Sequence, residues 1–565
     1  MSLQDEAARE RIRSSLDETL IVEAAAGTGK TTALVSRIVE VVASGRGELG
    51  GIVAVTFTEK AAGELKLRLR GELEKARRTA TAEVHDRLNR ALEQLEQARV
   101  GTIHGFCADL LKERPLEAGV DPLFEVATED EALRIYRRAF DRWLQEKVAA
   151  PPPGVRRLLR QSVDWEQQGP LDRLFEAGWE LADRRDFPGL WEIRPFDREQ
   201  EIDALVLRVL SLADRSARAY DRRDFLYQDL APFRGLADQV RAQKEISGNL
   251  DYDWLEQRLP DIARGARRKG RGPYGENVSR EALIVERDAL SADLKAFKDR
   301  ANADLAAHLQ HELPELIERY QALKTRAGRL DFLDLLLLTR NLLLHHPALR
   351  GELQERFTHI FIDEFQDTDP LQAEILLLLA AADPGSDDWR RARPKPGKLF
   401  IVADPKQSIY RFRRADVALY EQIKRQLLSA GAELVHLTVS FRAVPELQEM
   451  VNAAMKDVMT GSAEAHQAAY VPLHRQREPI GSQPALIALP IPKPYSDWGR
   501  ITVYAIDESE PVAVADWVRW LLRESGWKVT TRDGGEPRPV RASDVCLLFR
   551  RFVAGNRDVT RRYVE

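Results

Sequence analysis

The run Ile21-Val22-Glu23-Ala24-Ala25-Ala26-Gly27-Thr28-Gly29-Lys30-Thr31-Thr32 constrains this chain more than any other stretch. A short apolar strand enters a loop of small residues and leaves it as a helix, apolar at helical spacing through residues 33–42. Gly27 and Gly29 let the backbone approach an anion and turn its N–H groups inward. The cradle spans Ala24, Ala25, Ala26, Gly27, Thr28, Gly29, Lys30, Thr31 and Thr32, with Ala24 at the leading small position. Lys30 is placed to reach the β- and γ-phosphates of a nucleotide, and the Thr31 hydroxyl to ligate Mg²⁺. A Gly-rich strand-to-helix turn without a ligand is the alternative, and the flanking strand and helix weigh against it.

Composition bounds the rest. With 565 residues, 44% of them hydrophobic, the chain has material for about three or four domains. Its longest apolar runs, 335–338 and 375–382, fall short of the roughly 20 residues a membrane span needs, and the N-terminus is charged within a few residues. No membrane partner and a cytoplasmic location are expected. Two cysteines, Cys107 and Cys546, argue for a reducing compartment and against a Cys-rich zinc site. A net charge of −5, from 85 basic and 90 acidic residues, neither announces nor excludes a nucleic-acid partner, because a local positive channel needs only a fraction of those cations.

Residues 52–58 are a continuous run of mostly β-branched and apolar side chains, the pattern of a strand buried on both faces. It ends in Thr56-Phe57-Thr58-Glu59-Lys60. A third strand, 99–102, ends in Ile103-His104-Gly105-Phe106. Polar and aromatic groups at two such tips, beside a phosphate loop, suit a second ligand whose phosphates meet hydroxyls and whose bases meet rings. Taken singly, Phe57 and Phe106 read equally well as core residues and His104 as a loop histidine.

From 116 to 326 the strand pattern disappears. Residues 129–145, 171–185, 200–227 and 302–327 repeat apolar side chains at three and four, which predicts a helical domain inserted into an α/β one. Trp143, Trp165, Trp179, Trp191 and Trp254 are expected in its core. Residues 264–273 form a basic, Gly-rich loop that is either a solvated turn or a sequence-independent contact to a nucleic-acid backbone.

Strand character returns at 358–362 and leads into Asp363-Glu364-Phe365-Gln366-Asp367. Two carboxylates at a strand tip are what a magnesium nucleotide requires: Asp363 to hold the metal, Glu364 to orient or deprotonate the attacking water. The next strand, 398–404, precedes Pro405-Lys406-Gln407-Ser408-Ile409-Tyr410-Arg411-Phe412-Arg413. Gln407 is placed to sense the γ-phosphate. Tyr410 and Phe412 alternate with Arg411 and Arg413, an arrangement for stacking on bases and pairing with phosphates. Ser440-Phe441-Arg442 follows a further strand end, where an arginine could complete a nucleotide site.

In order and spacing these motifs resemble the UvrD/Rep-type superfamily-1 DNA helicases, most of all the AddA/RecB-like branch found in helicase–nuclease complexes. The matching text is 24–32, 56–65, 101–106, 330–336, 363–372, 404–416 and 440–442 with Asn452. The resemblance implies an α/β fold: a RecA-like P-loop motor domain with a parallel sheet, a large α-helical insertion domain and a second RecA-like domain. It implies ATP and Mg²⁺ as cofactors, 3′ to 5′ translocation on single-stranded or duplex-end DNA, a role in DNA repair and recombination, and a partner nuclease. Within it, Lys30, Glu364, Gln407 and Arg442 act on the phosphates, and Thr56, Phe57, Thr58, His104, Tyr410, Phe412 and Arg413 line the DNA path.

The expected division is 1–115 and 327–436 for the first motor domain, 116–326 for the insertion, and 437–565 for the start of the second motor domain. Departures accompany the matches. Glu6 stands about where the family places an adenine-reading glutamine, and Ala403 where it has glycine. Strands are expected at 487–489, 500–505 and 545–550, with a helix around 510–523. The family's later motifs, one with Gly-Leu-Glu and one with Thr-Arg-Ala, are not found before Glu565. The expectation is therefore the N-terminal part of a helicase, or alternatively a nucleotide-dependent DNA-binding module inactive as a motor alone.

Overall fold

In the computed structural model the structure describes all residues except 1–2, 162–167, 188, 265–267, 386, 463–466, 482, 496–497, 531–535, 555–556, 559 and 565. The chain forms two compact units, Met1–Leu110 with Thr339–Glu565, and Leu111–Leu338.

The first unit is built on six strands: β1 Leu20–Ala24, β2 Ile52–Thr56, β3 Arg99–Thr102, β4 His359–Ile362, β5 Leu399–Ala403 and β6 Glu433–Leu437. They pair in the order β3-β2-β4-β5-β1-β6, every pair parallel. β2, β4 and β5 are buried at every residue, which is why they read as unbroken apolar runs, whereas edge strand β6 alternates and exposes Glu433 and His436. Parallel pairing puts all six carboxyl ends on one edge. That edge collects the phosphate loop after β1, Thr56-Phe57 after β2, His104 after β3, Asp363-Glu364 after β4 and Asp404 after β5, and it is where open α/β sheets bind ligands.

Helices cover the faces. On one side α1 Glu6–Ser14, α2 Lys30–Ala43 and α3 Glu59–Thr79 pack Ile12, Leu34, Ile38 and Leu69 onto Val22, Ala54, Phe361 and Val402. Arg37 of α2 is 1% exposed and donates to the carbonyls of Ile12, Ser15 and Glu18 at 2.8, 2.9 and 2.9 Å. One buried guanidinium thereby satisfies carbonyls at the C-terminal end of α1 that would otherwise lack partners. Burial pulls its pKa down to about 10, and it remains a cation.

The second unit is mainly helical. A 33-residue helix, Arg280–Glu312, lends Leu283, Leu290 and Leu294 to one core and Leu305 and Leu309 to another, the latter with Tyr136, Trp143 and Tyr320. The helix expected over 200–227 ends at Ser216: Asp224 turns its carboxylate to the N–H groups of Leu226 and Tyr227 and starts a new helix there. The one expected over 302–327 is broken at Pro314, whose ring cannot continue Arg280–Glu312 and opens Pro314–Arg326 instead. Of the tryptophans expected in the core, Trp143 is fully buried, Trp191 is half exposed, and Trp165 lies outside the described residues.

Beyond Arg442 the first unit carries the helices Pro445–Lys456 and Val503–Arg523, and strands of two residues each. Two of the three expected strands, 487–489 and 545–550, are irregular. In the third, at 500–505, Thr502 accepts from the Ala505 N–H and caps a helix that begins at Val503, so the β-branched residues are drawn into helical turns. Among the described residues no helix is long and apolar enough to cross a membrane. Cys107 is buried and Cys546 exposed, both free.

Candidate functional site at the carboxyl edge of the sheet

Between β1 and α2 the backbone turns through Gly27 at φ 78° and Gly29 at φ 89°, values that favour glycine. Gly27 has a second reason. A Cβ there would stand 2.5 Å from the Arg442 Cβ and 3.0 Å from the Ser440 Oγ, so only a hydrogen lets the loop and that segment close up. The Thr28 hydroxyl, fully buried, donates to the Ala25 carbonyl at 2.7 Å and stiffens the turn from inside.

Lys30 and Thr31 open α2 and face the tip of β4. Lys30 Nζ lies 2.7 Å from Glu364 Oε2, and Thr31 Oγ1 stands 3.5 Å from Asp363 Oδ2. Residues more than 330 positions apart thus meet as their types require. Glu364 holds φ 55°, a left-handed conformation that costs a non-glycine residue about 1–3 kcal/mol and persists where surrounding structure enforces it. Its Oε2 also accepts from Gln366 Nε2 at 2.7 Å.

The carboxylates here are in excess. Burial, and then the charge of Glu364, push Asp363 up to about 6, and the same causes push Asp367 up to about 6. Asp367 Oδ1 is buried without a hydrogen-bond partner. Three acidic side chains around one lysine leave room for additional positive charge. Among the described residues no three His, Cys, Asp or Glu gather into a metal cage. One carboxylate and one hydroxyl beside an anion loop is instead the donor set of a cation that keeps waters and shares phosphate oxygens, which fits Mg²⁺.

Gln366, 2% exposed, connects this corner to the next strand. Its Oε1 accepts the Asp404 N–H at 2.8 Å and its carbonyl accepts from Ser408 Oγ at 3.2 Å. Gln407 is exposed, and its Nε2 donates to Asp404 Oδ2 at 2.9 Å. Three residues later the rings begin. Phe57 and Tyr410 stack with centroids 4.7 Å apart, Tyr410 and Phe412 with centroids 5.7 Å apart, and Phe412 is 75% exposed. The two strand tips therefore make one aromatic row.

The other expected residues are placed as follows. Thr56 is buried and its hydroxyl has no partner, on the wall of a cleft it shares with Phe57, His104, Asp363 and Glu364. Thr58 accepts from the Ala61 N–H at 3.1 Å and caps α3, so its hydroxyl already has a structural task. Phe106 is a core residue, edge-on to Phe357 at 5.5 Å. The Arg413 side chain lies outside the described residues. Arg442 is exposed with its Cβ against Gly27, and Phe441 N–H donates to the Gly27 carbonyl at 2.8 Å. Glu6 pairs with Arg13 at 3.3 Å.

In the basic loop, the backbone of 269–273 wraps the buried Arg280, which donates to the carbonyls of Lys269, Arg271 and Gly272 and to Asp224; residues 265–267 lie outside the described set. Sequence reasoning passed over Gln366, Asp404, Asp5 and Arg9. The first two stand inside quoted motifs, and their buried polar character at strand tips was the available signal.

The UvrD/REP helicase N-terminal domain model matches residues 4–427. Curated relatives, each named as the AddA polypeptide of an ATP-dependent helicase/nuclease, align over most of the chain. The protein of Carboxydothermus hydrogenoformans is 27% identical over 591 aligned positions, taking in 96% of this chain and 48% of its own length. That of Syntrophomonas wolfei is 28% identical, covering 80% of this chain and 38% of its own. That of Natranaerobius thermophilus is 25% identical, with the same 80% and 38%. The chain thus spans about two fifths to one half the length of these relatives. With a parallel six-stranded sheet that brings Lys30 to Glu364 and Thr31 to Asp363, and a family match over three quarters of its length, the chain belongs to the UvrD/Rep helicase family.

Proposed function

We propose that the chain binds ATP with Mg²⁺ at the loop 24–32 and couples its hydrolysis to 3′ to 5′ movement along single-stranded DNA, as the helicase part of a repair and recombination machine that works with a nuclease subunit. The single observation that carries the reading is the Lys30–Glu364 pair. A buried-edge lysine held by a strained glutamate next to an anion loop is a pair waiting to be exchanged.

An arriving triphosphate competes with Glu364 for Lys30. As Lys30 turns to the β- and γ-phosphates, the Glu364 carboxylate is released to a water, with Gln366 still holding one of its oxygens. Thr31 and Asp363 would hold Mg²⁺, which when bound neutralises charge on the phosphate oxygens. Arg442, beside Gly27, adds a cation from the side opposite Lys30. Gln407, hydrogen-bonded to Asp404, stands between this chemistry and the rings. Phe57, Tyr410 and Phe412 supply stacking faces for bases, with Thr56, Thr58, His104 and Arg413 beside them for the backbone. We assign 1–115 and 327–436 to a RecA-like motor domain, 116–326 to a helical insertion and 437–565 to the start of a second motor domain.

The test is ATP turnover by the chain with and without single-stranded DNA. A many-fold rise supports the motor reading. Absent hydrolysis with retained, salt-sensitive DNA binding would instead make the chain a nucleotide-dependent binding module.

A further inference from the structure

Asp5 and Arg9 stand one helical turn apart at the start of α1 and knot three distant segments together beside the phosphate loop. Asp5 occupies the N-cap position, where an aspartate ordinarily accepts from the first N–H groups of its own helix. Its side chain makes no such bond. The carboxylate turns away and accepts the N–H groups of Thr438 and Val439, both at 3.0 Å, together with Arg9 Nε and Nη2 at 2.8 and 2.9 Å. Burial by itself would raise the Asp5 pKa, but Arg9 and the two backbone donors hold it below the ordinary carboxylate range.

Arg9 completes the knot. Its Nη2 also donates to the Thr28 carbonyl of the phosphate loop at 2.9 Å, and its guanidinium lies 5.1 Å from the centroid of the Phe441 ring. Phe441 N–H reaches back to the Gly27 carbonyl, and the Ser440 hydroxyl stands 3.4 Å from the Ala26 carbonyl. The loop and the segment 438–441 are therefore tied twice, once directly and once through two charged side chains that α1 and its cap supply. The next residue is Arg442.

We infer that Asp5 and Arg9 are positioning residues that keep the phosphate loop in register with the segment 438–442, and that through this tie Arg442 is presented to the γ-phosphate. The inference rests on the reading of Arg442 given above. A nucleotide that fills the loop shifts the Thr28 and Gly27 carbonyls, and the tie carries that shift to Thr438 and Val439. A strut that only holds α1 in place would affect folding and leave nucleotide discrimination alone.

The test reads discrimination by equilibrium binding and needs no turnover: dissociation constants of the chain for Mg–ADP and for a non-hydrolysable Mg–ATP analogue. Arg442→Ala is expected to lower the preference for the triphosphate by about tenfold, the value of one charge-assisted hydrogen bond. Arg9→Ala and Asp5→Asn should each do the same with ADP affinity within about twofold of wild type. The Arg9→Ala/Arg442→Ala double variant should be no worse than Arg442→Ala, because both act on one contact. Phe441→Leu removes only the ring under Arg9 at a half-exposed position, so it keeps the test alive if the charge variants do not fold, and it should cost about threefold. Unchanged discrimination in Arg442→Ala would overturn the Arg442 reading itself. A normal preference in the Asp5, Arg9 and Phe441 variants, or a double variant whose losses multiply, would overturn the tie while leaving Arg442 in place.

Discussion

Two ends of one sheet edge are built on opposite principles. At the phosphate end charged groups are half or fully buried and occupied with one another: Lys30 with Glu364, Thr31 with Asp363, Gln366 with both Glu364 and Asp404. At the aromatic end the rings touch one another along the row, and Phe412 stands mostly in solvent. A small, highly charged ligand can enter the first place only by exchanging partners. A long ligand can settle on the second by covering rings that already lie in a row. The difference separates recognition by replacement from recognition by addition, and substitutions at the two ends should divide the same way.

The largest expected effect is at the phosphate end. Lys30→Ala should weaken Mg–ATP binding by about a hundredfold or more, as read by fluorescent-nucleotide titration, because it removes the cation and leaves Glu364 unpaired beside the loop. DNA affinity without nucleotide should stay within about twofold. Glu364→Gln should keep nucleotide binding and slow hydrolysis by about a hundredfold, the usual size of a general-base effect. Normal turnover in that variant would remove Glu364 from the base role.

Smaller effects belong to the rings. Tyr410→Ala and Phe412→Ala should each weaken binding of a short single-stranded oligonucleotide by about 1–3 kcal/mol, the value of one base–ring stack, with ATP affinity unchanged. If nucleotide affinity fell with them, the two ends would not be separable. The smallest effect is a pH dependence. Asp363 and Asp367 hold their protons more tightly in the folded chain than ordinary carboxyls do, up to about 6. The stability they contribute is therefore present below the usual carboxylate range and lost as pH rises through about 6, on the order of 1 kcal/mol each. Metal-free melting temperature should fall between pH 5 and pH 7, and Mg–ATP should reverse the fall.

The comparison also marks where the amino-acid pattern was readable. The run Ile52–Thr56 announced a doubly buried strand because parallel strands in the middle of a sheet have no polar face to display. Lys30 and Glu364 could be joined across the insertion because their chemistry, not their spacing, demands a common ligand. The Asp5–Arg9 knot was not legible. A charged pair on a short amphipathic helix reads as a solvated face, and nothing local says that Thr438 and Val439 will need an acceptor. Pro314 and Thr502 show the same limit in secondary structure, where one residue's backbone or cap outweighs the periodicity around it.

Gln366 joins the two ends, so their ligands should be linked, and linkage is reciprocal. The direct measurement is the affinity of the chain for single-stranded DNA in three states: without nucleotide, with Mg–ADP, and with a non-hydrolysable Mg–ATP analogue, for wild type and for Lys30→Ala. Wild type should change its DNA affinity by about fivefold or more between states, and Lys30→Ala should show one affinity throughout. A wild-type affinity that is the same in all three states would contradict the account.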